Sequence, residues 1–173
     1  MTVCTSCLAL IDHSRTALCF CINDLTFATF FMTPPYATVG SISWSLPEND
    51  ALFSAKTAEE WNEKRQASSP RSAPLHDLAA SLFTNHPETV FRAHSQSAFS
   101  THILVSSIFS IVLATRVNRP DLDKELSKDC KSQAPLANAL AAAMASLSTT
   151  ETDTFGTRIM WNLSWLHLVA DIK

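Results

Sequence analysis

A chain of 173 residues is the size of one domain and long enough to bury a substantial core. Its 13 basic and 16 acidic residues give a formal net charge of −3, and the cations form no stripe, which excludes direct nucleic-acid binding by phosphate neutralisation. Only Gly40 and Gly156 can adopt positive φ cheaply, which disfavours a hairpin-rich β fold, and a charged fraction of 17% implies extensive burial.

Met1–Cys7 lacks a basic segment followed by an apolar core, so no signal peptide is expected. From Thr2 to Phe31 the residues Val3, Cys7, Leu10, Ile11, Leu18, Ile22, Leu25 and Phe30 recur at helical intervals. The polar run Asp12–Arg15 interrupts them, so the pattern predicts two helices with a break near His13. The second must end before Thr33-Pro34-Pro35, because a residue preceding proline is pushed out of the α region. Pro34–Pro47 then reads as an extended, buried strap carrying Val39, Ile42, Trp44 and Leu46, since no partner strand is apparent.

Lys56–Gln66 is predicted helical, opened by a capping box in which the Thr57 hydroxyl accepts the N–H three residues on. Glu60 reaches back to the Thr57 N–H, and Trp61 is placed on the first turn to be buried. Residues 67–74 form a turn-rich linker, followed by a helix from Leu75 to Phe83 with Leu75, Leu78, Ala79 and Leu82 on one face. Asn85-His-Pro87 is a break. Ser97–Arg116 is apolar on nearly all sides and reads as the central helix. Within it, Ala98–Thr115 approaches bilayer-spanning length, but His102, several hydroxyl residues and the missing aromatic belt favour a buried helix. Leu122–Cys130 reads as a charged helix. Pro135 is predicted to open an alanine-rich helix over Leu136–Leu147, and 148–154 is a polar linker. Phe155–Ile172 is a strongly apolar last helix that stops at Lys173 without a C-cap, the pattern of a fragment of a larger fold. The expected architecture is all-α: one domain over 1–173, an irregular bundle of about seven helices with an extended strap at about 34–47.

Cys4, Cys7, Cys19, Cys21 and Cys130 are odd in number, and Cys4-x-x-Cys7 is only half of a zinc site. They read as buried, reduced cysteines, with no metal site and no cofactor. His86, His94 and Glu88 are the candidates for an acid–base site if their loop folds back on itself. His94 and His102 are eight apart on a possible common helix, too far to share a metal. Trp161 and Trp165, four apart, read as a core stripe. Ser68, Ser69, Ser72 and Ser148–Thr150 fall in the linkers. An Arg15–Asp24 ion pair would need tertiary contact, and its reading is structural, at a helix junction.

The order Arg15, Asp24, Pro34-Pro35, Leu46-Pro47, Asp50-Ala-Leu-Phe53 and Thr57-Ala-Glu-Glu-Trp61 resembles the regulatory middle region of fungal-specific transcription factors, over Arg15 to about Asp121. Phe99–Leu113 is similar to the helix that follows in that family. Tryptophan is usual in the family near Leu18 and at Phe53, and the zinc-finger ligands are missing, so the chain looks like an excised regulatory core. The resemblance implies structural roles for Arg15, Asp24, Pro34, Pro35, Thr57, Glu60 and Trp61. It implies a nuclear or cytoplasmic domain that senses a small-molecule effector or partner, with homo- or hetero-oligomerisation through apolar helices. Neither nucleic acid nor membrane is an expected partner. The alternative is a small helical enzyme or metabolite-binding protein recruited from that scaffold, for example in secondary metabolism; catalysis is the less favoured expectation.

Overall fold

Ser97 begins the element on which the rest is built. Its hydroxyl accepts the Ser100 N–H at 3.0 Å and its carbonyl accepts the Thr101 N–H at 3.0 Å, capping the helix Ala98–Asn118. The computed structural model describes residues 5–31, 33–47, 52, 54–67, 73–84, 86–94, 97–118, 130–149 and 155–169. Among these are seven α-helices: α1 (Thr5–Phe31), α2 (Ala58–Ala67), α3 (Leu75–Leu82), α4 (Pro87–His94), α5 (Ala98–Asn118), α6 (Cys130–Thr149) and α7 (Phe155–Val169). The architecture is an all-α irregular bundle. No described helix is long and apolar enough to cross a membrane.

Helix α5 is central because it has no polar face to turn toward water. Thr101 and every residue from Ile103 to Ser110 are buried, with Leu104, Val105, Ile108 and Phe109 fully inaccessible. Helix α7 packs against it most extensively, and α1, α3, α4 and α6 pack around the remaining sides. Small residues bring α7 close: Thr157 and Ser164 are buried, and Ser164 donates to its own helix at Met160 O, 2.7 Å. Helix α6 presents Ala139, Leu140, Ala143 and Leu147 as one buried stripe. Helix α3 buries Leu75, Leu78, Ala79 and Leu82, the face its spacing predicts.

Several elements differ from the sequence expectation. Thr5–Phe31 is one helix, without a break at His13. Asp12–Arg15 contains no proline or glycine to break it, and Arg15 lies over the Phe99 ring at 5.4 Å from its centroid. Pro135 lies inside α6, which already starts at Cys130, so its missing N–H does not mark the first turn. Helix α4 occupies a stretch read as a break and inter-helix segment; Pro87, Val90 and Phe91 are its buried face. Cys19 is exposed and Cys21 half-buried, both free, so the expectation of buried cysteines fails at Cys19. The charged segment 122–129 and most of the two linkers lie outside the described residues.

Candidate functional site

Thr33–Pro47 crosses the bundle as the strap. A short 3-10 turn at Val39–Ser41 is its only helical part. Pro35, Val39, Ile42, Leu46 and Pro47 face inward, whereas Trp44 is 49% exposed. Hydrogen bonds tie it to α1 and α3. Thr33 N–H donates to Ala28 O at 3.0 Å, where α1 ends, and Ala37 N–H donates to Asp24 Oδ2 at 2.9 Å. Leu75 N–H donates to Trp44 O at 2.8 Å, beside a single antiparallel bridge between Ser45 and Pro74. His76 Nδ1 lies 3.2 Å from Ile42 O; a carbonyl only accepts, so this nitrogen carries the proton. The other ring nitrogen faces Asp77 Oδ1 at 3.2 Å.

Beneath the strap is a small cleft of about 30 Å³, partly open to solvent. Leu18, Cys21, Ile22 and Leu25 of α1 form one wall; Ala37, Val39 and Ile42 of the strap form another. Leu75 closes one side, and Ile103, Ser106, Ser107 and Ser110 of α5 form the floor. The lining is apolar and uncharged apart from these hydroxyls and the Cys21 thiol. Burial, then the nearby Asp24 carboxylate, push the Cys21 thiol pKa up and keep it protonated. Ser107 donates to Ile103 O at 2.8 Å, within its own helix. Ser106 is 4% exposed, and its hydroxyl has no hydrogen-bond partner among the described residues. A buried hydroxyl without a partner is costly, so it marks a place where a ligand atom could be received.

The other predicted residues fall elsewhere. Arg15 and Asp24 are nine residues apart on one continuous helix, hence half a turn out of phase, and each has a different partner: the Phe99 ring and the Ala37 N–H. Pro34 is exposed and Pro35 buried at the start of the strap. The capping box forms with a shift: Glu60 N–H donates to Thr57 Oγ1 at 3.1 Å, but the Glu60 carboxylate accepts from Lys56 N–H at 2.9 Å rather than from Thr57. A 2.6 Å bond from Lys64, then the Lys56 N–H, pull the Glu60 pKa down. Trp61 is only half-buried, with Arg65 over its ring at 5.7 Å. No residue of α2 is buried.

Glu88 and His86 do meet, Nδ1 to Oε1 at 3.4 Å, but on an open surface where they are 51% and 75% exposed. His94 ends α4, about 12 Å of helix away from His86. His94 and His102 lie on separate helices, α4 and α5. Burial lowers the His94 pKa and that of His102, whose Nδ1 lies 3.1 Å from Thr157 Oγ1 of α7. Trp161 donates to Leu140 O at 2.8 Å, linking α7 to α6. Among the described residues no three His, Cys, Asp or Glu side chains gather closely enough to hold a metal ion.

No protein-family profile matches the chain, and neither a curated protein nor a solved structure does. The sequence reading missed Ser106 and Ser107, because serines inside an apolar helix carry no signal until the strap is seen to lie over them.

Proposed function

We propose that this chain is a regulatory domain that senses a small, uncharged and largely apolar ligand, of the kind the resemblance to the middle region of fungal transcription factors implies. The observation that carries the reading is the strap-covered cleft with the unsatisfied Ser106 hydroxyl on its floor. The enclosed space is only about 30 Å³, room for a water or two, so a ligand enters only as the strap moves outward. The lining has the mostly apolar character, with a few placed polar groups, of ligand sites. The strap is the natural output element, because it forms one wall of the cleft. Binding would favour one arrangement of the strap and so alter what the surrounding surface offers a partner in the nucleus or cytoplasm. A recruited metabolite-binding protein would use the same cleft.

The test is thermal unfolding of the purified chain against a panel of small neutral metabolites. A ligand that binds only the folded state must stabilise it, by about 2.7 kcal/mol at a hundredfold excess over Kd. The expected result is a saturable rise in Tm with at least one compound, reduced in Ser106→Ala and in Ala37→Leu, which fills the cleft. A panel that leaves Tm unchanged, or a rise insensitive to both substitutions, overturns the reading.

A further inference from the structure

The apolar residues of α1 divide between two opposite faces. Leu18, Leu25 and Ala28 are buried against the bundle, while Phe20, Phe27, Phe30 and Phe31 are 70%, 63%, 79% and 72% exposed. We propose that this outer face pairs two copies of the chain as a parallel two-stranded coil. The surface is separate from the cleft, and the inference stands independently of the ligand-sensing reading.

The spacing is that of a coiled-coil seam. His13, Thr16, Phe20, Asn23, Phe27 and Phe30 alternate at intervals of three and four residues, and every one of them is exposed. Such a repeat places successive side chains along one stripe that faces a partner helix. Asn23 lies mid-stripe between Phe20 and Phe27. In a parallel pair each Asn23 meets its own counterpart across the two-fold axis, where two amides hydrogen-bond to one another. An antiparallel pair would instead set Asn23 against Phe27 and leave the amide without a partner, which decides the orientation.

Area and charge favour a second copy as the occupant. An aromatic side chain carries roughly 200 Å² of surface, so the four exposed phenylalanines leave on the order of 500 Å² uncovered on each copy. Pairing them buries on the order of 1,000 Å² in total, at the lower limit for a specific interface and suited to a dimer of micromolar strength. Of the flanking residues Ala17, Cys19, Asp24, Thr26 and Phe31 only Asp24 is charged, and its carboxylate accepts the Ala37 N–H of the strap, so like-charge repulsion between two identical faces is small. A membrane surface fits less well, since an interfacial helix draws on several flanking lysines and arginines, whereas this stretch carries the single Arg15, which lies over the Phe99 ring.

Sedimentation equilibrium of the full chain over about 1 to 200 μM reads the association directly. A reversible monomer–dimer equilibrium is expected, weakened at least about tenfold by Phe27→Lys with circular dichroism and Tm unchanged. Orientation is read in a background with Cys4, Cys7, Cys19, Cys21 and Cys130 replaced by serine, where Asn23→Cys should form a covalent dimer on mild oxidation, because the paired positions lie within disulfide reach only in the parallel register. A chain that stays monomeric throughout, or a dimer indifferent to Phe27→Lys, overturns the proposal. A dimer that Phe27→Lys disrupts but Asn23→Cys does not cross-link overturns the parallel arrangement.

Discussion

Asp24 on α1 accepts the Ala37 N–H of the strap at 2.9 Å, thirteen residues along the chain, and this bond sets how closely the strap lies over the cleft. Asp24→Ala leaves a partly buried N–H without its acceptor, which costs about 1–3 kcal/mol. Amides of residues 36–42 should exchange faster in hydrogen–deuterium exchange, by more than the loss in global stability explains. Unchanged strap protection would mean that the apolar contacts of Val39 and Ile42 hold the strap without this bond.

Removing the Ser106 hydroxyl should stabilise the empty protein. Ser106→Ala deletes a buried group that finds no partner, so a gain of about 1 kcal/mol is expected, read as a higher urea midpoint at constant slope. A loss of stability would show that the hydroxyl is satisfied in solution, for example by water.

His102 gives acid sensitivity near neutrality. Burial lowers its folded pKa below the unfolded value, so the unfolded chain binds the extra proton first. Stability is therefore complete above about pH 6.5, falls as pH drops toward the folded pKa, and stops falling below it. His94 is shifted in the same direction by the same cause and adds a smaller contribution, because it is more exposed. Urea midpoints from pH 8 to 5 should decline in wild type and decline less in His102→Gln, which keeps a side chain able to bond Thr157. Equal slopes would assign the dependence to other groups. The lowered Glu60 pKa acts in a separate window below about pH 4.5, where its protonation weakens the α2 cap.

Thr57→Ala should act locally. Losing an N-cap costs about 1 kcal/mol to the helix it begins. Helix α2 buries none of its residues, so little of that loss reaches the core. Faster amide exchange over Ala58–Ala67 with an unaltered global unfolding midpoint is the expected pair of results; a midpoint shift would tie α2 to cooperative unfolding.

Phe91 should be among the costliest truncations outside α5. It is 1% exposed on an eight-residue helix that packs mainly on α6, and Phe→Ala at such a site costs about 3–5 kcal/mol. Chemical denaturation gives the number directly, and a loss below about 1.5 kcal/mol would mean that α4 can collapse around the cavity.

The helices most readable from sequence are those whose local pattern and burial agree. Leu75, Leu78, Ala79 and Leu82 announce α3, and the uncharged run around Ile103–Leu113 announces α5. Helix α4 carries its own signals: Pro87 in the first turn, Glu88 beside it, and Arg92 and His94 in the last turn. Its eight residues make too short a periodic pattern to stand out, and it owes its stability to Val90 and Phe91 packing on neighbours.

By itself, the sequence determined the class of fold: scarce glycine, abundant alanine and leucine, and prolines at the strap's edge leave helices as the way to satisfy the backbone. It also determined the Thr57 cap, because that interaction spans only a few residues. Which face of α1 turns inward was decided only by the tertiary structure. The helical intervals group Leu18, Leu25 and Phe30 together, but packing against α5 buries the first two and leaves Phe30 in solvent with Phe20 and Phe27. The cleft was decided in the same way, since Asp24, Ala37, Ile42 and Ser106 are separated along the chain and become one site only when the strap is laid across the bundle.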